Sequence, residues 1–203
     1  MGIRITGAQP HECRTVAEMI DGASHGLVDF LLRGIVPGAS PVSIIAHALE
    51  TGKDHYGLRN ALVARDGDEP VGLSFSFPSE YHGITDETRA YVPGDRLDHL
   101  ADLFAARVEE SLYIDALFVD PRYRRRGIAG ALIVRTAQRA RGMGLKTISL
   151  IVMADNMPAR RLYEQWGFAV VRPIRLEPHE LLPREGGAFL MARAADAALL
   201  GMM

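Results

Sequence analysis

Apolar residues in the second half of the chain follow two periods, one typical of buried strands and one typical of helices. Two near-continuous apolar runs, at residues 112–119 and 147–153, indicate strands that are buried on both faces. Between them, apolar positions recur along one side of an amphipathic helix that Gly142 and Gly144 end, with Arg139 on its outward face. The elements predicted here are strands at 112–119, 147–153, 168–175 and 188–193 and helices at 127–141 and 158–166. This order is typical of an α/β unit built on one sheet.

The first half carries weaker patterns of the same two kinds. The elements predicted here are strands at 3–6, 60–65 and 71–77 and helices at 10–20 and 41–49. The turn-forming cluster at 66–70 joins two of these strands, which predicts a hairpin. Residues 78–94 contain two prolines and two glycines and are interpreted as a long loop, followed by one charged helix at 95–110. The apolar face of that helix is formed by Leu97, Leu100, Leu103 and Phe104.

Composition excludes several classes of protein. The single cysteine, Cys13, rules out a disulfide framework within the chain and any zinc site with several cysteines. The seven histidines are scattered without H-x-x-x-H or H-E-x-x-H spacing, so no metal site is expected. No apolar run is long enough to span a bilayer, and the first residues lack the apolar stretch of a signal peptide. We therefore expect a soluble, cytoplasmic protein.

Charge is unevenly distributed along the chain. Residues 1–110 carry 9 Lys and Arg against 17 Asp and Glu, whereas residues 111–203 carry 14 against 8. The basic second half favours an anionic ligand there, and the acidic first half would accept a cationic one. The overall pI near 6.4 argues against a nucleic-acid-binding protein.

The most informative segment joins the strand at 112–119 to the following helix. It begins with Asp120-Pro121, passes through the three arginines at 124–126, and enters the helix at Gly127. The first backbone amides of a helix have no carbonyl partner, and the helix dipole favours a negative charge at this end. Glycine allows a ligand close to the backbone, and arginine donates forked hydrogen bonds to phosphate. These features predict a pyrophosphate-binding loop, although neither the G-x-x-x-x-G-K-S/T nor the G-x-G-x-x-G motif is present.

Three motifs in this half resemble those of the GNAT superfamily of acyl-CoA-dependent N-acyltransferases. Residues 124–129 match its Gln/Arg-x-x-Gly-x-Gly/Ala signature, with Ala129 as the second small residue. Residues 113–119 are similar to its central strand, and residues 147–153 to its next one. Residues 156–168 resemble its N-x-x-A-x-x-x-Y-x-x-x-G-F segment. The resemblance is strongest over residues 111–170.

The resemblance implies a fold and a cosubstrate. The fold would be α/β, with a single mixed, mostly antiparallel central sheet flanked by helices on both faces. The chain would form one domain over residues 1–203, with an acceptor-side insert at 78–110. Acetyl-CoA would be the cosubstrate, without a metal; Leu117 and Val119 would offer main-chain groups to its pantetheine arm, and residues 124–130 would hold its pyrophosphate. The residues assigned to its binding in this way are Leu117, Phe118, Val119, Arg124, Arg125, Arg126, Gly127, Ile128, Ala129, Gly130, Asn156 and Arg160.

Two residues would carry the implied chemistry. Tyr163 would lie near the sulfur and donate a proton to the leaving thiolate, and Asp115 would accept a proton from the attacking amine. Glu109, Glu110 and water are the alternatives for the base. A packing role for Tyr163 and a structural role for Asp115 are the alternatives to catalysis. Asn156 and Tyr163 are seven positions apart, so a helix places them on one face.

The resulting expectation is an N-acetyltransferase in which a bound amine attacks directly, without an acyl-enzyme. The acceptor would be a small-molecule amine or a protein amino group, and the acidic first half favours a cationic small molecule. The alternatives are a non-catalytic acyl-CoA-binding sensor of the same fold and a nucleic-acid-binding protein that uses the arginine loop. Neither nucleic acid nor a membrane is expected as a partner, and a homodimer is one expected assembly.

Overall fold

The computed structural model describes residues 2–52, 55–182 and 186–196, with the backbone alone at Glu87. Within these ranges one open sheet has the strand order β1-β2-β3-β4-β5-β7-β6. Its strands are β1 (Ile3–Gly7), β2 (Ala61–Asp66), β3 (Glu69–Pro78), β4 (Ser111–Val119), β5 (Thr147–Met153), β6 (Ala169–Ile174) and β7 (Ala188–Ala194). Neighbouring strands are antiparallel except β4 and β5, which run parallel. The prediction of a mixed, mostly antiparallel sheet is confirmed.

Helices cover both faces of the sheet. They are α1 (Cys13–Ala23), α2 (Leu27–Leu32), α3 (Pro41–Thr51), α4 (Asp86–Tyr91), α5 (Gly94–His99), α6 (Ala101–Ala105), α7 (Ile128–Gly142) and α8 (Met157–Gln165). Apolar residues of α1 and α3 pack in one cluster with β2, β3 and β4. On the other face, residues of α7 and α8 pack together in a second cluster, and other residues of α7 pack in a third. The core is therefore divided by the sheet into two apolar layers.

Local signals explain where the best-predicted helices begin and end. Asn156 caps α8 by accepting a hydrogen bond from a first-turn amide, and Ser40 does the same for α3. Gly52, directly after α3, has a φ of 60°, and Gly167, just past α8, has a φ of 79°. Because these signals lie within a few residues of each helix, the sequence alone predicts both helices within two residues of their observed ends.

The predicted helix at 95–110 is wrong in its extent, and so is the predicted loop at 78–94. The chain forms two short helices, α5 and α6, that meet at Leu100, where φ is −99° and ψ is 10°. In a straight helix of 3.6 residues per turn, apolar residues spaced three apart rotate gradually away from one face. The break at Leu100 allows Leu100 and Leu103 to share one apolar cluster with Phe30 of α2. Within 78–94, Thr85 caps the short helix α4 by accepting a hydrogen bond from a first-turn amide.

Candidate active site

The two parallel strands at the centre of the sheet separate part-way along their length. β4 and β5 pair from Ser111 with Thr147 to Ile114 with Leu150. Beyond this point each strand continues but pairs only with its outer neighbour, β3 or β7. A wedge therefore opens between residues 115–119 of β4 and 151–153 of β5, and no described strand pairs with the backbone that faces it. An extended ligand with amide groups can pair with such an edge as an added strand would.

Backbone direction along β4 decides which groups face the wedge. The amide of Asp120 donates to Val71 O at 3.0 Å, and main-chain groups then alternate in direction along the strand. By this alternation the main-chain groups of Phe118 face β3, whereas those of Leu117 and Val119 face the wedge. The Phe118 side chain packs in the cluster on the α1 side of the sheet. Of the three strand residues predicted to bind a cofactor, Leu117 and Val119 therefore have main-chain groups on the wedge side, and Val119 O accepts a hydrogen bond from Arg124 Nε at 3.2 Å.

The loop after β4 presents backbone amides at the start of α7. Arg125 and Gly127 have positive φ angles of 61° and 77°, and such turns direct neighbouring amides into one concavity. The first intrahelical hydrogen bond runs from Ala131 N to Gly127 O at 3.0 Å, so the amides before it have no helical carbonyl partner. A Cβ built on Gly127 would meet no atom within 4 Å. The glycine thus satisfies an unusual φ and leaves open space beside these amides.

Three arginines surround this helix start. The side chains of Arg124, Arg125 and Arg126 are exposed, and none of them pairs with a carboxylate of the described residues. Arg122 differs, because Asp120 pairs with its guanidinium at 2.8 Å. The loop therefore combines uncompensated positive charge with helix-terminal amides, an arrangement that suits a bound anion.

A cavity of about 200 Å³ occupies the wedge. Its lining comes from β4, β5 and α8, and also from the segment 23–31, which the sequence pattern did not single out. Leu117, Asp115, Asn156 and Tyr163 line it, whereas Arg160 does not. Two side chains predicted to be catalytic, from a strand and from a helix 48 positions later in the chain, thus share one cavity.

A β-bulge sets the direction of Asp115. The register between β3 and β4 shifts between Phe75 and Ser76, which makes Asp115 the extra residue of β4. Its carboxylate accepts a hydrogen bond from the Tyr56 hydroxyl at 3.1 Å. Burial raises the pKa of Asp115 to about 6, and the hydrogen bond from Tyr56 opposes that rise. A carboxylate with this pKa is ionised at neutral pH and is a stronger base than an exposed one.

The alternative carboxylates lie elsewhere. Glu109 and Glu110 are exposed in the turn before β4 and do not line the cavity. Glu109 pairs with Arg107 at 2.6 Å, and Glu110 has a φ of 52°. Of the three carboxylates weighed from the sequence, Asp115 is the one at the cavity.

Tyr163 contributes a buried phenol to the cavity from α8. Its side chain is 8% exposed, and its ring packs edge-on against Phe168 with 5.6 Å between the ring centres. Burial raises the pKa of Tyr163 well above its ordinary value, so the hydroxyl keeps its proton at neutral pH. Among the described residues the hydroxyl has no hydrogen-bond partner. It is therefore available to donate to a molecule in the cavity.

Comparison with known sequences identifies the family. The sequence profile of the Acetyltransferase (GNAT) family matches residues 45–168. The chain belongs to the GNAT family. The uncharacterized N-acetyltransferase YafP of Escherichia coli K12 is 36% identical over 74 residues, which cover 36% of this chain and 43% of YafP. The match thus spans less than half the length of that curated relative.

Solved structures share the GNAT fold along this chain. A crystal structure described as an acetyltransferase superposes with a TM-score of 0.68 at 22% identity, over 95% of this chain and 100% of that one. The PaiA N-acetyltransferase of Thermoplasma acidophilum, solved in complex with coenzyme A, superposes with a TM-score of 0.55 at 13% identity, over 96% and 99% of the two chains. At these identities the likeness concerns the fold alone.

Asn156, the first residue of the third GNAT motif, makes two hydrogen bonds within the protein. Its Oδ1 accepts from the Ala159 amide at 3.3 Å and so caps α8. Its Nδ2 therefore donates to His25 Nε2 at 2.7 Å, which places the proton of a neutral His25 on Nδ1. His25 lines the cavity from the turn between α1 and α2 and was missed by the sequence analysis. No local pattern signals it, because the contact joins residues 131 positions apart.

Two other residues predicted to bind the cofactor have packing contacts. The Arg160 guanidinium lies 4.4 Å from the ring centre of Phe189, and its Nη1 donates to Ala154 O at 3.4 Å. A Cβ built on Gly130 would lie 1.9 Å from Trp166 Cζ2, so α7 and the end of α8 approach each other here. A cofactor contact for Arg160 and Gly130 stays a prediction beside these observed packing roles.

Two interactions near the site differ from expectation or lack any sequence signal. Arg139, predicted to point outward from α7, is half-buried and donates to Ser76 O at 3.3 Å and to Asn60 Oδ1. The prediction was wrong because the carbonyl and amide that draw Arg139 inward lie more than 60 residues away in the chain. Tyr56, the partner of Asp115, follows a polar stretch without periodicity and was missed for the same reason.

Within the described residues, no helix is long and apolar enough to cross a membrane. The same residues contain no group of three or more histidine, cysteine or acidic side chains arranged to hold a metal ion.

Proposed function

We propose that this GNAT-family protein is an acyl-CoA-dependent N-acetyltransferase that moves an acetyl group from acetyl-CoA to a primary amine within a ternary complex. The observation that carries the proposal is that Asp115 of β4 and Tyr163 of α8 line one cavity at the wedge. A proton acceptor and a proton donor are the two groups from which such a transfer gains most. Coenzyme A in the Thermoplasma acidophilum structure supports the choice of cosubstrate.

The residues around the wedge fit acetyl-CoA. The main-chain groups of Leu117 and Val119 suit the amides of a pantetheine arm lying along β4. The amides at the start of α7 and the three arginines at 124–126 suit a pyrophosphate. When bound, acetyl-CoA supplies the acetyl group as a thioester. Asn156 would contact the arm by sharing or giving up its hydrogen bond to His25.

Asp115 is the proposed general base. A primary amine is mostly an ammonium ion at neutral pH, and it must lose a proton before its nitrogen can attack a carbonyl carbon. With a pKa of about 6, the Asp115 carboxylate is ionised at that pH, accepts the proton and releases it to solvent before the next turnover. The Tyr56 hydroxyl, 3.1 Å away, orients the carboxylate.

Tyr163 is the proposed general acid. It donates its proton to the sulfur as the carbon–nitrogen bond forms and the carbon–sulfur bond breaks. The second proton that the nitrogen loses returns to the Tyr163 oxygen through water, so the phenol is regenerated. Its raised pKa keeps it protonated between turnovers.

The segment 78–110 is the proposed acceptor side of a single domain. Residues 1–203 would act as one acetyltransferase domain in which the segment 78–110 contributes the acceptor side. Leu100, Leu103 and Phe104 of this segment line the cavity, which supports that assignment.

Thiol release from acetyl-CoA, measured with the purified full chain and a panel of primary amines, tests the function. Amine-dependent release is expected, together with acetyl-CoA binding by calorimetry. Binding without release for any amine would favour the non-catalytic sensor. Absence of both binding and release would overturn the assignment of the wedge to acetyl-CoA.

A further inference from the structure

Two groups of apolar side chains line part of the cavity that Asp115 also lines. They are contributed by the α2 side chains Leu27, Val28 and Leu31 and by the α5–α6 side chains Leu100, Leu103 and Phe104. We call these six residues the acceptor walls. Arg96 of α5 donates to Leu31 O at 3.2 Å and to Arg33 O at 2.8 Å, so the two walls are bonded to each other.

Charge is nearly absent from the cavity. Among its lining residues within the described ranges, Asp115 is the only acidic side chain, and no lysine or arginine is present. Nε2 of His82 lies 3.1 Å from Leu103 O and donates to it, while burial lowers the pKa of the imidazole, so this ring is neutral. His25 accepts a hydrogen bond from Asn156 at Nε2. The acidic residues that dominate 1–110 therefore do not reach the described lining.

A single carboxylate in a cavity whose described lining holds no lysine or arginine selects an acceptor by charge. The nitrogen of an amine finds a partner at Asp115. A carboxylate or phosphate on the same molecule would meet no cation there, and a second ammonium group would lose its hydration against leucine and phenylalanine side chains.

The size of the cavity sets the other limit. Its volume of about 200 Å³ exceeds the roughly 150 Å³ of an apolar cavity that accepts benzene. Because the thioester end of acetyl-CoA would take up part of this volume beside Tyr163, the acceptor's tail is limited to about one aromatic ring or a short alkyl chain.

We propose that the acceptor is a small primary amine with an uncharged, apolar remainder, of the arylalkylamine or short alkylamine class. Its nitrogen lies at Asp115 and its tail lies between the acceptor walls. The inference rests on the acetyltransferase function proposed above. It narrows the cationic small molecule expected from the sequence to one that carries a single charge.

Two matched pairs of acceptors test this selection in the thiol-release assay. 2-Phenylethylamine against phenylalanine isolates the effect of a carboxylate, and n-hexylamine against 1,6-diaminohexane isolates the effect of a second ammonium group. We expect kcat/KM to favour the singly charged member of each pair by roughly tenfold or more. Calorimetry with 2-phenylethylamine and with spermidine gives a readout that does not depend on turnover, and only the former should bind.

A negative charge introduced into one acceptor wall should reverse the preference for n-hexylamine over 1,6-diaminohexane. Leu31 is half-buried, so Leu31→Glu can place a carboxylate at the wall, and 1,6-diaminohexane should then become the better substrate. Val36→Glu is the matched control, because Val36 is 42% exposed beyond α2 and does not line the cavity. Circular dichroism checks that both variants fold. If Leu31→Glu does not fold, the two acceptor pairs measured with the wild-type protein still test the proposed acceptor class.

The possible failures are distinguishable. A wild-type preference for spermidine, for phenylalanine or for a peptide with a free N-terminus would overturn the acceptor class and leave the acetyltransferase function standing. The absence of amine-dependent thiol release with every acceptor would overturn the function itself, and the acceptor class with it.

Discussion

Replacing Gly130 with alanine tests the contact between α7 and Trp166. The new Cβ would lie 1.9 Å from Trp166 Cζ2 and 2.6 Å from Cε2, far inside van der Waals contact. The main chain of Trp166 cannot easily withdraw, because its amide bonds to Leu162 O at the end of α8 and its carbonyl accepts from Arg193. The rigid indole must therefore rotate, or the two helices must separate.

The magnitude follows from two opposing effects. Adding a methylene-sized group to a well-packed site typically costs about 1–3 kcal/mol. Alanine in place of glycine inside a helix offsets roughly 0.8–1 kcal/mol of that cost. Because the contact is so close and the ring so rigid, the upper part of the first range applies. We expect Gly130→Ala to lower the free energy of unfolding by about 2 kcal/mol.

Urea unfolding followed by circular dichroism measures this change. Gly142→Ala is the matched control, because Gly142 lies in the same helix and a Cβ built there meets no atom within 4 Å. The control should be as stable as the wild type or more stable by up to about 1 kcal/mol. Trp166→Leu removes the ring that the Cβ added by Gly130→Ala would meet. The double variant Gly130→Ala/Trp166→Leu should therefore lose less unfolding free energy than the two single variants lose together.

A Gly130→Ala protein at least as stable as the wild type would refute the packing argument. A variant of unchanged stability that has lost acetyl-CoA affinity would place Gly130 in the phosphate loop instead. The experiment therefore separates the observed packing contact from the cofactor role that the family resemblance implies for the same glycine.

Three further variants probe the candidate site. Tyr163→Phe keeps the ring and removes the hydroxyl, so stability and acetyl-CoA affinity should hold while turnover falls by about tenfold or more. If the variant turns over at the wild-type rate while the chemical step limits the rate, Tyr163 is a packing residue. Asp115 must be ionised to accept a proton, so wild-type kcat/KM should fall as the pH drops through about 6. Asp115→Asn should lose this fall of kcat/KM at low pH, whereas the control Asp68→Asn, at an exposed position, should keep it. The same fall in both variants would exclude Asp115 as the base. Gly127→Glu places a carboxylate beside the α7 amides on left-handed backbone, so acetyl-CoA binding should be lost while the circular dichroism spectrum persists; unchanged affinity would contradict the phosphate loop.

The regular part of the second half was predictable from the sequence because its signals are local. The strand β5 was predicted with its observed bounds, and α7 and α8 within one residue at each end. Apolar periodicity, the cap at Asn156 and the glycines after each helix all act within one or two turns. The open backbone amides at the start of α7 were predictable for the same reason, since they depend on neighbouring residues between β4 and α7; their binding of a phosphate stays a prediction.

The segment 95–110 shows where local signals fail. Its apolar spacing is consistent with a helix, and α5 and α6 are helical, but the pattern does not say where the helix bends. Leu100, where the helix breaks, lies in one apolar cluster with Phe30 of α2, which is 70 residues away in the chain. Periodicity therefore predicted the apolar face that contributes Leu100, Leu103 and Phe104 to the acceptor walls, but not that this face shares a cavity with α2.

The amino-acid sequence by itself determined the family motifs, most of the elements and the identities of Asp115 and Tyr163 as candidates. Only the tertiary structure decided that these two side chains share one cavity, that Tyr56 bonds to Asp115 and that His25 bonds to Asn156. The register shift that turns Asp115 and the separation of β4 from β5 are properties of strand pairing. Pairing brings together residues far apart in the chain, so no window of neighbouring residues contains the information.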